Sequence, residues 1–216
     1  MSDVAAPPSP MPHDALTDER RERTITRLGL YALAVILVAS IVVGEIYPAL
    51  TSMMCMFFVI LPLMVRQRLC MPLPWTMSAL TVAVTVLHSA GILSHAYDLV
   101  WWWDLLTHFM ATSVLAVAAN LVILVRGRRA VPRALPTKYV PLVSLGLVIV
   151  LGMVWEAAEF IADIAFGLTT QYSLQDTAID LSVDILGGVL VAIVMPPYLD
   201  SLEEDYGICA VSPETP

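Results

Sequence analysis

Residues 139–166 read YVPLVSLGLVIVLGMVWEAAEFIADIAF. From Tyr139 to Trp155 no side chain is charged, and Glu156, Glu159 and Asp163 are confined to the far end. A membrane-crossing helix needs about 20 predominantly apolar residues, because the hydrocarbon core is about 30 Å thick and each residue rises about 1.5 Å. The stretch therefore predicts a spanning helix, long enough to end in a bend near the far surface. The rest of the chain has the same character: 58% of its 216 residues are apolar and 14% charged, with a mean hydropathy of +0.79. A soluble domain is about 45–50% apolar and about 25% charged. A soluble globule, a disordered protein and a nucleic-acid-binding protein are excluded.

Five further stretches have spanning length: Leu28–Tyr47, Ala49–Val65, Trp75–Leu93, Leu105–Val125 and Thr177–Met195. With Tyr139–Phe166 they predict an all-α polytopic membrane protein, a six-transmembrane-helix bundle forming one domain over residues 28–198. Residues 1–27 precede it as a disordered segment with a basic juxtamembrane end. Pro7, Pro8, Pro10 and Pro12 sit there among small and acidic residues, a composition unable to bury a core. Residues 199–216 form an acidic tail. Spans one and two are separated only by Pro48, which predicts a tight hairpin. Span one follows four arginines as in a signal peptide, but it is too long and has no small-residue cleavage site, so it reads as a retained anchor. Cys55, Cys70 and Cys209 have no metal or redox spacing.

The basic residues orient the bundle. Arg20, Arg21, Arg23 and Arg27 precede span one, Arg66 and Arg68 follow span two, and Arg126, Arg128, Arg129, Arg133 and Lys138 join spans four and five. All eleven fall on one face of a six-span chain. The positive-inside rule makes that face cytoplasmic, so both termini are inside, as expected of a multi-pass protein of the cytoplasmic (inner) membrane. Tyr47, Tyr97, Trp101, Trp102, Trp103 and Tyr172 then mark the outer boundary, and Trp75, Tyr139 and Tyr198 the inner one.

The acids fall elsewhere. Five lie in the N-terminal segment, five in the tail, and nine (Glu45, Asp98, Asp104, Glu156, Glu159, Asp163, Asp176, Asp180 and Asp184) on the outer side. Asp104 and His108 are spaced i, i+4. Glu156, Glu159 and Asp163 are i, i+3, i+7, and Asp176, Asp180 and Asp184 are i, i+4, i+8. Each set shares one helix face. By helical rise they meet in the outer third of the bilayer. Carboxylates facing lipid at that depth cost several kcal/mol, so these faces turn inward. No Lys or Arg stands between Arg68 and Arg126 or after Lys138 to neutralise them. The acids are then protonated, or line a wet cavity, or bind a cation. The candidate ligands are Asp104, His108, Glu156, Glu159, Asp180 and Asp184, a donor set suited to Mg²⁺, Mn²⁺, Zn²⁺ or iron.

Other polar residues read more plainly. Glu45 and Asp163 reach interfacial water, Asp98 and Asp176 suit loops or helix caps, and His88 is a satisfied bundle residue. The tryptophan run is an interfacial anchor, with a lid over the cluster as the sharper alternative. Gly146, Gly152, Gly187 and Gly188 predict close helix packing.

Three blocks carry a resemblance: W-D-x-x-x-H-F from Trp103, W-E-x-x-E-F from Trp155, and Q-D-x-x-x-D-x-x-x-D-x-x-G-G from Gln175 to Gly188. Together they are similar to the uncharacterised YjdF-type family of small inner-membrane proteins, over roughly residues 97–190. That resemblance implies the fold and the site positions and brings no activity. VanZ-like membrane proteins look similar more loosely. Here Glu159 is not followed by Gln, Asp184 stands where that pattern has Asn, and Asn120 where it has an acid.

Three functions follow from the residues. One is a metal-dependent membrane enzyme acting at the outer leaflet on a lipid-linked substrate, with Glu156 or Asp184 as base. Another is a non-catalytic membrane module whose polar cluster holds the bundle. The third is a cation or proton transporter, against which stands an inner half nearly bare of polar groups. The lipid bilayer is the expected partner, and neither the metal nor the oligomeric state is legible.

Overall fold

The computed structural model describes residues 13–69, 75–130, 137–168, 170–171 and 173–206. Residues 1–12, Cys70, Arg133, Tyr172 and the tail from residue 207, with Cys209, lie outside the described residues. The elements are α1 (His13–Val43), α2 (Ile46–Leu69), α3 (Trp75–Leu93), the single turn α4 (Ala96–Leu99), α5 (Trp103–Ala130), a 3₁₀ turn (Thr137–Tyr139), α6 (Val140–Phe166) and α7 (Leu174–Tyr206). Six helices are long and apolar enough to cross a membrane. The described residues contain no strand, as backbone in hydrocarbon requires when every N–H and C=O must be satisfied within its own segment.

Two boundaries differ from the sequence expectation. Helix α1 begins at His13, so residues 13–27 are helical where composition suggested disorder. The Glu19 carboxylate accepts from the Arg23 guanidinium at i, i+4, a pairing that supports an exposed helical turn. Glu22 is buried against α3 and accepts from Ser78 Oγ at 3.3 Å. The first hairpin also turns earlier than Pro48. Helix α1 stops at Val43, Gly44 takes φ +84°, and α2 starts at Ile46. Pro48 falls in the first turn of α2, where its missing N–H has no partner to lose. A left-handed φ is where glycine alone is unstrained, so the turn belongs to Gly44.

The spanning helices form two groups of three. Helices α1, α2 and α3 pack on one another, as do α5, α6 and α7, and the groups join along α3 and α5. The connections α1–α2, α3–α5 and α6–α7 gather at one end, where Glu45, His95, Gly167 and Thr170 border a common cavity. Near the other end Met77, Leu121, Val140 and Met195 share a buried apolar cluster.

Small residues set the spacing of α7 against α5 and α6. A Cβ at Gly187 would stand 2.9 Å from the Phe109 carbonyl oxygen, and one at Gly188 2.7 Å from Leu145. Gly152 faces Asp184 in the same manner. Gly146 does not pack: nothing lies within 4 Å of its Cβ position, and it is exposed. Its helix-packing role is therefore corrected; a small residue facing lipid meets no neighbour.

Between α5 and α6 Asn120 Nδ2 donates to Ala116 O at 2.8 Å and to Ser144 Oγ at 3.0 Å, and Ser144 Oγ donates to Ala116 O at 3.1 Å. Interhelical hydrogen bonds in membranes average about 0.6 kcal/mol and reach about 1.7. Ser144→Ala is expected to lower stability within that range, because Asn120 keeps its bond to Ala116; thermal unfolding in detergent checks it.

Candidate functional site

The polar end is centred on His108, one turn into α5 and 7% exposed. Its position follows from sequence: Asp104 opens α5 and His108 stands four residues on, along the same face. Helix α6 brings Glu156 and Glu159, and α7 brings Asp180 and Asp184. All six expected residues therefore meet. His108, Glu156, Asp180 and Asp184 are buried, while Asp104 and Glu159 are partly exposed.

The two ring nitrogens of His108 meet different partners. Nδ1 lies 3.1 Å from Asp184 Oδ1. A carboxylate at Asp184 would accept from the ring N–H at Nδ1 and so orient the imidazole. Nε2 faces Asp104 Oδ1 at 3.5 Å and Glu156 Oε1 at 4.0 Å. Those separations exceed a good hydrogen bond. They suit two donors on one ion, since ligands about 2.1 Å from a tetrahedral metal stand roughly 3.4 Å apart. Donor atoms of Asp104, His108 and Asp180 lie within 4.8 Å of one another, and so do those of His108, Glu156 and Glu159. Glu156 Oε1 and Asp180 Oδ1 are buried with no hydrogen-bond partner. A buried, unpartnered carboxylate oxygen is costly, and a cation is the ligand that resolves several at once.

Gly152 makes room for the orienting acid. A Cβ there would stand 2.5 Å from Asp184 Oδ2, so the absent side chain seats that carboxylate against α6. Glu159 is held by its own helix, with Trp155 Nε1 donating to Oε1 at 2.9 Å.

A second hydrogen-bonded chain closes the site from the α3–α5 side. Thr107 Oγ1 donates to Asp104 O at 2.9 Å, so it can only accept from Tyr97 O–H at 3.1 Å. Tyr97 O–H then accepts from His88 Nδ1 at 2.5 Å, which places the proton on that nitrogen. Burial, ahead of neighbouring acids, raises the Tyr97 hydroxyl above the usual phenol range and keeps it a donor. The His88 ring meets the Trp155 ring edge to face, with centroids 5.6 Å apart. Sequence reasoning read Tyr97 as an outer-boundary aromatic and His88 as a satisfied bundle residue at this depth, without pairing them. Their pairing spans nine residues across the α3–α4 turn, where neither helical spacing nor hydropathy places one side chain against the other.

The remaining acids sit apart. Asp163 accepts from Thr170 N at 2.8 Å, Thr170 Oγ1 at 2.6 Å and Gln171 N at 2.9 Å. It fastens the α6–α7 connection. Asp163→Ala is expected to speed amide exchange at Thr170 and Gln171 by about tenfold, the worth of one hydrogen bond to a charged acceptor. Glu45 and Asp98 border the end of the bundle. Of the tryptophans, Trp101 is 82% exposed, as an anchor would be, while Trp103 packs over Gly91.

Two cavities meet at the cluster. One of about 360 Å³ is mostly apolar and lies between α2 and α6. The other, about 290 Å³, lies among the end connections. Asp104, Glu159, His88 and Tyr97 border both.

A family model described as a predicted membrane protein (DUF2238) matches residues 25–201. No curated protein and no solved structure matches the chain.

Proposed function

This chain belongs to the predicted membrane protein family DUF2238, and we propose that it is a membrane enzyme whose polar cluster holds one divalent cation and acts on a lipid-linked substrate. It sits in the cytoplasmic membrane with both termini inside, and the cluster lies under the outer leaflet. The eleven basic residues, all placed by sequence order on the opposite side of a six-span chain, support that orientation. The likeness of the three sequence blocks to the YjdF-type group, and more loosely to VanZ-like proteins, supports the same site positions.

One observation carries the reading. Glu156 Oε1 and Asp180 Oδ1, buried and without hydrogen-bond partners, converge on His108. Asp104, His108 and Asp180 would hold the ion, with Glu156 and Glu159 grouped on the α6 side of the same histidine, and Asp184 would orient His108 as an outer partner does for a metal-bound imidazole. Glu159 borders both cavities and is the better placed base, since Asp184 is engaged with His108 Nδ1 and Glu156 is buried and borders neither cavity. Bound there, the ion would polarise a phosphoryl or acyl oxygen. The absence of Arg and Lys from these spans counts against an anionic group there unless the cation alone grips it.

The test is metal analysis of the purified protein, stripped with chelator and then reloaded separately with Mg²⁺, Mn²⁺ and Zn²⁺. The expected result is one tightly held ion per chain. An empty protein after all three additions would sink the reading and leave a protonated acid network that holds the bundle.

A further inference from the structure

We propose that the apolar cavity between α2 and α6 receives one acyl chain of a membrane glycerophospholipid, which enters sideways from the bilayer and brings its head group to the acid–histidine wall. The fate of the head group rests on the enzyme reading above; the seat for the chain does not.

The two three-helix groups join along α3 and α5, so α2 and α6 stand on either side of a slot over that seam. Met54 and Phe58 of α2 and Val154 of α6 border its mouth and are exposed, as is Leu115 behind them. In a bilayer those side chains meet hydrocarbon. Deeper in, Val84, Thr85 and Thr112 are buried. The two threonines present no free hydroxyl: Thr85 Oγ1 donates to Thr81 O and Thr112 Oγ1 to His108 O, each at 2.7 Å. The slot is therefore lined with hydrocarbon from mouth to floor.

Its upper end is different. Asp104, His108, Glu159 and Asp184 border the same cavity, and beyond Asp104 and Glu159 begins the polar cavity among the end connections. Along one continuous path the wall changes from apolar to acidic to loop. That is the polarity order of an amphiphile lying in one leaflet, chain toward the midplane and head toward water. About 360 Å³ is near the low end for small-molecule sites, which run from about 300 to 1,000 Å³. It suits one chain and excludes a pair. The open side lets a second chain stay in the bilayer, and glycerophospholipid is what the bilayer offers at that mouth.

The experiment reconstitutes the full chain in vesicles of phosphatidylethanolamine and phosphatidylglycerol, with a trace of phosphatidylethanolamine bearing a diazirine on one acyl chain. After photolysis, adducts are mapped by peptide mass spectrometry, and metal is measured on the same preparation. Adducts are expected on Val84, Thr85 and Thr112, which surrounding lipid cannot reach, as well as on the outward-facing Val150 and Ile161. A mouth-filling Val154→Trp variant is expected to remove most of the inward adducts, because the indole occupies the opening the chain must pass, and to spare the outward ones. Adducts confined to outward residues in the wild-type protein overturn the proposal. So does loss of the inward adducts when a small mole fraction of polyprenyl phosphate is added, which would give the slot to an isoprenoid chain. Inward adducts without bound metal support the chain seat while removing the metal reading; metal without inward adducts does the reverse.

Discussion

His108→Ala is expected to abolish binding at the proposed cation site, while Asp184→Asn weakens it by about 10–100-fold and leaves it in place. The difference follows from which nitrogen each acid meets. Asp184 Oδ1 is 3.1 Å from Nδ1, so its carboxylate sets the ring's tautomer and raises the basicity of the other nitrogen. Nε2 is the atom that faces Asp104 and Glu156. Alanine removes that donor and leaves buried carboxylates to repel one another. Asparagine at 184 keeps an oxygen that accepts from Nδ1–H and loses only the charge. Titration of Zn²⁺ or Mn²⁺ into chelator-stripped protein by calorimetry measures both, with size-exclusion chromatography to show that each variant is folded. Equal and complete loss in the two variants would make Asp184 a direct ligand and undo the assignment of Nε2.

Much of this architecture is legible in hydropathy alone, because a segment in lipid must satisfy its own backbone and cover its length with apolar side chains. The layer of polar residues is legible for a related reason. A rise of about 1.5 Å per residue converts position along a span into depth, and that places Asp104, Glu156 and Asp180 at one level before any contact is known. What spacing leaves out is azimuth. Asp176, Asp180 and Asp184 share a face, yet nothing in an i, i+4, i+8 pattern says that Asp184 meets Nδ1 of His108. Nor does it say that Asp176 stays outside the ligand set. The same gap hides the His88–Tyr97–Thr107 chain and the slot between α2 and α6, since hydropathy does not reveal which helices are neighbours. The early turn at Gly44 was obscured differently. Proline reads as a breaker, although at the first turn of a helix it breaks nothing.

The glycines show the same limit and provide the other large effect. Gly187→Val is expected to destabilise the bundle by about 1–3 kcal/mol and to weaken cation binding as well. A Cβ at 187 would stand 2.6 Å from Thr112 Oγ1, 2.9 Å from the Phe109 carbonyl oxygen and 3.1 Å from Ser113 Oγ. The hydroxyls can rotate away. The carbonyl is part of the α5 backbone and yields only if α7 moves. Asp184 and Asp180 lie three and seven residues before Gly187, near the same face, so a shift of α7 carries both away from His108. Gly146→Ala is the matched control. Its Cβ position meets nothing within 4 Å, and alanine at an exposed helix-interior site is favoured over glycine by about 0.8–1.0 kcal/mol. Thermal unfolding of both variants in detergent, followed by zinc titration at a temperature where each is folded, separates the two consequences. A Gly187→Val protein with wild-type Tm and wild-type affinity would show that α7 is not held against α5 as closely as the Phe109 contact requires. Lower Tm with unchanged affinity would show that the cluster forms independently of that contact, with α7 bending between Gly187 and Asp184 instead of moving as one rod.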